Sequence, residues 1–207
     1  MLNFVTTNPG KVREATEYLD DEVVQFDFDY PEVQADDLGT VAAQGAREAY
    51  HAADGPVIVD DAGLFIDAFD GFPGPYSSYV EDTLGVERLA EVCADLDDAR
   101  ARFECVLAYC DGDAFDASPD PIDESDRAAA AATVAGGESD DDGLPVKLFY
   151  GQVPGRIVPP RGDDGFGFDP IFEHDGTTFA EVTPAEKNAV SHRGRALAKF
   201  AEWYASR

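Results

Sequence analysis

The stretch Thr6-Thr7-Asn8-Pro9-Gly10-Lys11 brings hydroxyl, amide and ammonium groups together. An apolar run, LNFVT, precedes it and a helical pattern to about Leu19 follows, so it is predicted to join a strand to a helix. Backbone N–H groups and the helix dipole favour an anion there. The stretch lacks the Walker A spacing, and such connections are common without any function. However, Lys11 is one of only four lysines, and a cation at a helix N-terminus is unfavourable unless an anion binds.

Three carboxylates, those of Glu32, Asp60 and Asp61, could hold a metal ion. The segment PVIVDD predicts a strand over 56–61 that ends in the aspartate pair and turns into LFIDAF. Ligands of open α/β sheets lie at the carboxyl ends of strands, and Mg²⁺ binds through one or two carboxylates plus substrate phosphates. Most Asp-Asp pairs in so acidic a chain are solvated, and this pair differs in following an apolar strand.

Three further segments carry patterns that a ligand site could use. Residues 71–78, GFPGPYSS, predict a rigid turn. Residues 165–170, GFGFDP, could offer an aromatic face and a carboxylate to a nucleotide base, or their phenylalanines could pack in the hydrophobic core. Residues 186–195, EKNAVSHRGR, place Lys187 and Ser191 on one face if helical, and the cluster of basic residues could equally be a solvated helix surface.

The elements that must position these residues alternate between strand and helix. Strands are predicted at 2–6, 23–28, 56–61 and 101–110, at 146–153 and at GRIV after a Pro-Gly turn; helices are predicted at 11–19, 40–53 and 81–98, and from Pro184, where Thr183 and Glu186 form a capping box. This alternation predicts an α/β fold. A length of 207 residues suits one domain spanning 1–207. Residues 111–145 contain eleven acidic residues and read as an inserted solvated loop.

The charge balance restricts the partners. Forty-three acidic residues face 15 basic ones, for a net charge of −28, which disfavours nucleic acid. A hydrophobic content of 44% with 14 phenylalanines argues for a packed core, and adaptation to molar salt, as in a halophile, reconciles the two facts. The start resembles no signal peptide and no stretch suits a membrane span, so a cytoplasmic protein is expected. The three cysteines, 93, 105 and 110, are predicted to be reduced core residues.

Five motifs in order resemble the inosine triphosphate pyrophosphatase family: VTTNPGK, YPE, VDDAGL with GFPGPYS, GFGFDP and AEKNAVSHRGRAL. The resemblance covers nearly the whole chain apart from the acidic insertion. It implies hydrolysis of ITP, dITP or XTP to the monophosphate and pyrophosphate. It also implies a single α/β domain with a long mixed β-sheet flanked by helices, two lobes around a substrate cleft, and a homodimer.

The resemblance implies a role for each matching residue. Glu32, Asp60 and Asp61 would place Mg²⁺, and Asp61 would be the general base. The substrate would contact Thr6, Thr7, Asn8, Pro9, Gly10, Lys11, Ala62, Phe166, Gly167, Phe168, Asp169, Lys187, His192 and Arg193, with Lys11 also catalytic, Phe166 stacked on the purine, and His192 and Arg193 near its 6-oxo edge.

Two positions depart from the family pattern. Gln44 and Ser78 stand where relatives often carry basic residues, so phosphate affinity is expected to rest more on Lys11, Lys187 and the metal. Two other functions are compatible with these motifs. One is a Maf-like pyrophosphatase of different base specificity, and the other is a nucleotide-binding module without catalysis, which the intact acids at Glu32, Asp60 and Asp61 disfavour.

Low salt is predicted to unfold the protein, because a net charge of −28 repels itself unless it is screened. Circular dichroism with magnesium chelated should show cooperative structure at about 2 M KCl and its loss at about 0.05 M, where the Debye length is several times longer. Identical spectra at both concentrations would contradict adaptation to salt.

Overall fold

The computed structural model describes residues 1–30, 33–113 and 144–207. Glu32 and most of the predicted acidic insertion at 111–145 lie outside the described residues. The insertion and the single-domain assignment of 1–207 therefore remain predictions.

The described strands form one seven-stranded mixed sheet, in the order β2-β1-β3-β4-β5-β6-β7. β1 pairs in parallel with β2 and β3, whereas β6 pairs antiparallel with β5 and β7. The strands are β1 Leu2–Val5, β2 Val23–Phe26, β3 Val57–Ile66, β4 Arg100–Cys110, β5 Lys147–Ile157, β6 Phe172–His174 and β7 Thr177–Thr178. The predicted α/β class with a long mixed sheet is confirmed.

Side-chain caps mark the starts of three helices. Asn8 caps α1, Asp37 caps α2, and Thr183 and Glu186 form the predicted capping box of α5. The helices are α1 Pro9–Tyr18, α2 Leu38–Ala52, α3 Ser77–Thr83, α4 Val86–Cys93, α5 Pro184–Val190 and α6 His192–Tyr204.

Four boundary predictions were wrong. β3 does not end at Asp61 but continues to Ile66, and β5 runs through the predicted Pro-Gly turn. The helix predicted over 81–98 is two helices, because Gly85 adopts φ 86°, a left-handed conformation that interrupts a right-handed helix. The final helix is also two, since Ser191 is extended between α5 and α6.

The chain divides into two compact units. Unit 1 contains Met1–Asp61, Val106–Tyr150 and Ala196–Arg207, and unit 2 contains Ala62–Cys105 and Gly151–Arg195. The largest buried side chains of unit 1 include Phe4, Ile58, Leu107 and Phe200, whereas the core of unit 2 is rich in phenylalanine. The two-lobed cleft that the resemblance implies remains a prediction.

Two further predictions concern burial and membranes. The three cysteines, 93, 105 and 110, are buried and reduced, as predicted. Among the helices in the described ranges, none is both long and apolar enough to cross a membrane.

Candidate active site

The loop after β1 is shaped by hydrogen bonds among its own residues. The N–H of Asn8 donates to the Thr6 hydroxyl at 3.0 Å, and the side-chain oxygen of Asn8 accepts from the N–H of Gly10 at 2.8 Å. The N–H of Lys11 donates to the Asn8 carbonyl at 3.1 Å. These three N–H groups therefore hold the loop in shape. Its most exposed residues are Thr7 and Pro9.

Lys11 and Asp60 form an ion pair that the sequence did not predict. Nζ of Lys11 lies 2.8 Å from Oδ1 of Asp60, whose side chain is fully buried. Val5, the last residue of β1, pairs with Val59, so Asp60 lies just beyond the end of β1 and beside the loop. The carboxylate offsets the unfavourable placement of a cation at a helix N-terminus. The sequence predicted that a bound anion would offset the Lys11 charge. In the structure the Asp60 carboxylate, which is part of the chain, offsets it.

Asp60 and Asp61 are the described carboxylates whose chemistry suits a divalent cation. Carboxylate oxygens are hard ligands, and Mg²⁺ commonly takes one or two of them together with substrate phosphates, so the chemistry of either side chain fits that ion. Over the ranges that the structure describes, no group of three or more His, Cys, Asp or Glu side chains gathers as a metal site. The third predicted ligand, Glu32, lies outside those ranges. Ala62 follows the pair within β3, because the strand does not end there.

The turn at 71–78 is bound to β3 within unit 2. The hydroxyl of Ser77 donates to the carbonyl of Gly74 at 2.7 Å and accepts from the N–H of Leu64 at 2.8 Å. A Cβ atom at Gly63 would overlap the carbonyl oxygen of Gly74. The glycine therefore permits a close backbone approach. The segment predicted as a rigid turn contains a short 3-10 helix, Gly74–Tyr76, that leads into α3 and is anchored to β3; its rigidity stays a prediction.

The segment GFGFDP presents one of its two phenylalanines to solvent. The ring of Phe166 is 52% exposed, whereas Phe168 is buried in the core of unit 2. Gly165 and Gly167 both adopt left-handed conformations, and a Cβ at Gly165 would overlap the Asp169 carboxylate. The two alternatives predicted for this segment, a core position and an accessible aromatic face, are thus divided between its phenylalanines. Phe168 packs in the core and Phe166 offers the accessible face.

A buried ion pair between Lys187 and Asp169 lies against Phe166. Nζ of Lys187 donates to Oδ2 of Asp169 at 2.5 Å, and the same oxygen accepts from the N–H of Phe166 at 2.9 Å. Nζ of Lys187 also lies 4.2 Å from the centre of the Phe166 ring, a cation–π distance. Lys187 and Asp169 are 8% and 2% exposed. Each charge therefore depends on the other for its stability in the interior.

His192 and Arg193 begin α6 and are buried as well. The Arg193 guanidinium lies 5.9 Å from the Phe166 ring, and the hydroxyl of Ser191 accepts from the N–H of Gly194 at 3.0 Å, capping α6. The predicted shared helix face of Lys187 and Ser191 was wrong, since α5 ends at Val190. The alternative of a solvated charge cluster was also wrong for Lys187, His192 and Arg193, because all three are buried.

Three residues near this group carried no signal in the sequence. Phe103 stacks on His192, and Phe179 stacks on Phe103. Burial raises the pKa of the Glu81 carboxyl, and the negative charges of Asp82 and Asp169 raise it further. Phe103 reads in the sequence only as an apolar strand residue, and Glu81 as one acid among many.

Comparison with known proteins identifies the family. The chain matches the sequence model of the Ham1 family over residues 2–121 and 117–203. The chain belongs to the Ham1 family. A Thermococcus kodakarensis protein named dITP/XTP pyrophosphatase is 42% identical to this Ham1 chain over 208 residues, covering 98% of this chain and 96% of that protein.

Further Ham1 relatives agree in sequence and fold. A Fusarium vanettenii protein named inosine triphosphate pyrophosphatase is 36% identical, covering 98% of this chain and 95% of its own. The structure of a HAM1 protein from Coxiella burnetii matches with a TM-score of 0.75 and 30% identity, and covers 100% of both chains. At the two positions that depart from the family pattern, the Gln44 amide donates to Glu48 at 3.1 Å and Ser78 is exposed.

Replacing Lys187 by methionine should lower the free energy of unfolding by about 3–5 kcal/mol, because it leaves the Asp169 charge buried without its cation. The control is Arg88→Met, which removes an exposed pair with Glu91 and should cost at most about 1 kcal/mol. Urea denaturation at constant molar KCl measures both variants. Equal losses would contradict the role of the buried pair.

Proposed function

We propose that this Ham1-family enzyme hydrolyses ITP, dITP and XTP to the monophosphate and pyrophosphate, clearing them from the nucleotide pool. The observation that carries the proposal is the match, over nearly the whole chain, to relatives named dITP/XTP pyrophosphatase. The arrangement of charges and rings within each unit supports it. We further propose a halophilic source, a cytoplasmic location and a homodimer.

Residues 6–11 would hold the phosphates. A triphosphate carries about four negative charges, so an acidic chain can accept it only where the local field is reversed. The Lys11 ammonium lies at the N-terminus of α1, whose dipole also favours an anion. The hydroxyls of Thr6 and Thr7 and the side-chain amide of Asn8 would donate to the phosphates, and Pro9 and Gly10 would pack against them. When a phosphate oxygen binds, Lys11 would share its protons between that oxygen and Asp60.

Asp60, Asp61 and Glu32 would hold Mg²⁺. When bound, the ion would supply positive charge to neutralise phosphate oxygens and would lower the pKa of a water molecule. Asp61 would accept the proton of the attacking water as the general base, with Ala62 beside the substrate. Asp60, already fixed by Lys11, would keep the position of the neighbouring carboxylate through the rigid strand β3.

Unit 2 would bind the base. Phe166, held by Asp169 through its own N–H, presents its ring to solvent and would stack on the purine. Gly167 gives the loop its conformation, and Phe168 anchors it in the core. Lys187, His192 and Arg193 carry N–H donors, and the latter two would bind the 6-oxo group of the base.

A substrate panel tests the proposed function. In molar KCl with Mg²⁺, pyrophosphate release should be fast for ITP, dITP and XTP and slow for ATP and dTTP; GTP carries the same 6-oxo group, so its rate in the same panel measures the effect of the 2-amino group. A preference of roughly a hundredfold or more in kcat/KM for ITP over ATP is expected, because the 6-amino group of ATP would leave two buried donors without acceptors. Fast release from pyrimidine nucleotides would favour the Maf-like specificity, and an ITP-to-ATP ratio near one would refute the substrate assignment.

Asp61→Asn should lower kcat at least about a hundredfold, because asparagine keeps the shape of the side chain but cannot act as a base. Asp97→Asn, at an exposed aspartate that also precedes a second aspartate, is the matched control and should leave kcat unchanged. Steady-state kinetics with ITP measure kcat for both variants, and circular dichroism checks that both keep the fold of the unmodified protein. Turnover by Asp61→Asn close to that of the control would remove Asp61 from the catalytic role.

Arg193→Ala should reduce ITP hydrolysis far more than ATP hydrolysis, since the lost donor pairs with the 6-oxo group and not with the 6-amino group. The kcat/KM ratio of the two substrates should therefore narrow by about tenfold, the effect of about 1.4 kcal/mol. Equal proportional losses on both substrates would assign Arg193 to the phosphates instead.

A further inference from the structure

The imidazole of His192 lies flat against an aromatic ring from another part of unit 2. Its centroid is 4.8 Å from that of Phe103, and the two ring planes differ by 19°. His192 is 6% exposed and Phe103 is 7% exposed. A stacked contact with another ring restricts the tilt of an imidazole, which hydrogen bonds at its edge do not do by themselves.

The Phe103 ring is itself held by the aromatic core. It lies 4.4 Å from the Phe172 ring in a tilted contact, and 6.0 Å from the Phe179 ring with planes only 7° apart. Phe172 and Phe179 also contact each other at 5.2 Å, and both are buried. Phe103 lies in β4, so the imidazole rests on a support fixed by both the sheet and the core.

We infer that Phe103 is a positioning residue for base selection, acting through His192. The inference rests on the proposed function, in which His192 donates a hydrogen bond to the purine 6-oxo group. A donor discriminates between a carbonyl and an amino group only if its direction is fixed, because a ring that can tilt accommodates either. The flat face of Phe103 supplies that restraint.

Phe103 is proposed to restrain His192 without restraining Arg193, the next residue in the sequence. Consecutive residues of an α-helix project about 100° apart, and Arg193 lies against the ring of Phe166 rather than that of Phe103. Leucine at position 103 would keep an apolar side chain in the core but offer no flat face. Base selection should therefore weaken while the Phe166 platform stays in place.

The test is a double-mutant cycle read as the ratio of kcat/KM for ITP to that for ATP. Phe103→Leu should lower this ratio about tenfold, the scale on which residues supporting a binding group act. In a His192→Ala background the same substitution should have no further effect on the ratio, since its target is absent. Phe200→Leu is the control: it alters a fully buried phenylalanine of unit 1 and should lower stability without changing the ratio.

The outcomes separate the two proposals. Absence of ITP hydrolysis in the unmodified protein overturns the proposed function, and an unchanged ratio in His192→Ala overturns the role of His192 and that of Phe103 with it. If both hold, an unchanged ratio in Phe103→Leu, or an equal effect in both backgrounds, overturns the positioning role alone.

The stacking itself can also be measured in the unmodified protein, and the His192→Ala variant is needed only to assign the signals. The chain has three histidines, and the signals that vanish in His192→Ala assign that imidazole by NMR. Ring currents from Phe103 should shift its carbon-bound protons upfield of those of exposed His51. Equal shifts would contradict the stacked arrangement.

Discussion

A net charge of −28 repels anions over most of this chain, so an anion site depends on where the few cations lie. None of the four lysines is exposed. Lys11 is paired with the buried Asp60, Lys187 is paired with the buried Asp169, and Lys147 lies over the rings of Phe149 and Trp203. Lys11 in unit 1 and Lys187 in unit 2 are proposed site residues, and in each a partly desolvated positive charge interacts with an anion or a ring more strongly than it would in water.

The positions of these side chains depend on where the strands and helices that carry them end. β1 stops at Val5 while its neighbour β3 continues, so the loop after β1 lies beside Asp60. In unit 2, Lys187 contacts Asp169 from within α5, and after the break at Ser191 the residue His192 begins a new helix against Phe103. Both arrangements join residues distant in sequence through rigid elements, which suits a site that must hold its geometry.

Local patterns in the sequence predicted most of the elements and the segments of the candidate site, because apolar periodicity, turn residues and caps act over a few neighbours. They did not predict that β3 passes through Asp61, since the end of a strand depends on its hydrogen-bonded partners. The pairing of Lys11 with Asp60, 49 residues away, and the stack of His192 on Phe103 arise only from tertiary packing. GFGFDP shows the same limit, because composition could not decide which phenylalanine is buried.

Phosphorus NMR of the products formed from ITP in molar KCl with Mg²⁺ shows most directly which phosphoanhydride bond is cleaved. Hydrolysis between the α and β phosphates predicts that the monophosphate and pyrophosphate accumulate in equal amounts, with no diphosphate nucleotide. Accumulation of the nucleoside diphosphate with inorganic phosphate would place cleavage between the β and γ phosphates and contradict the proposed reaction.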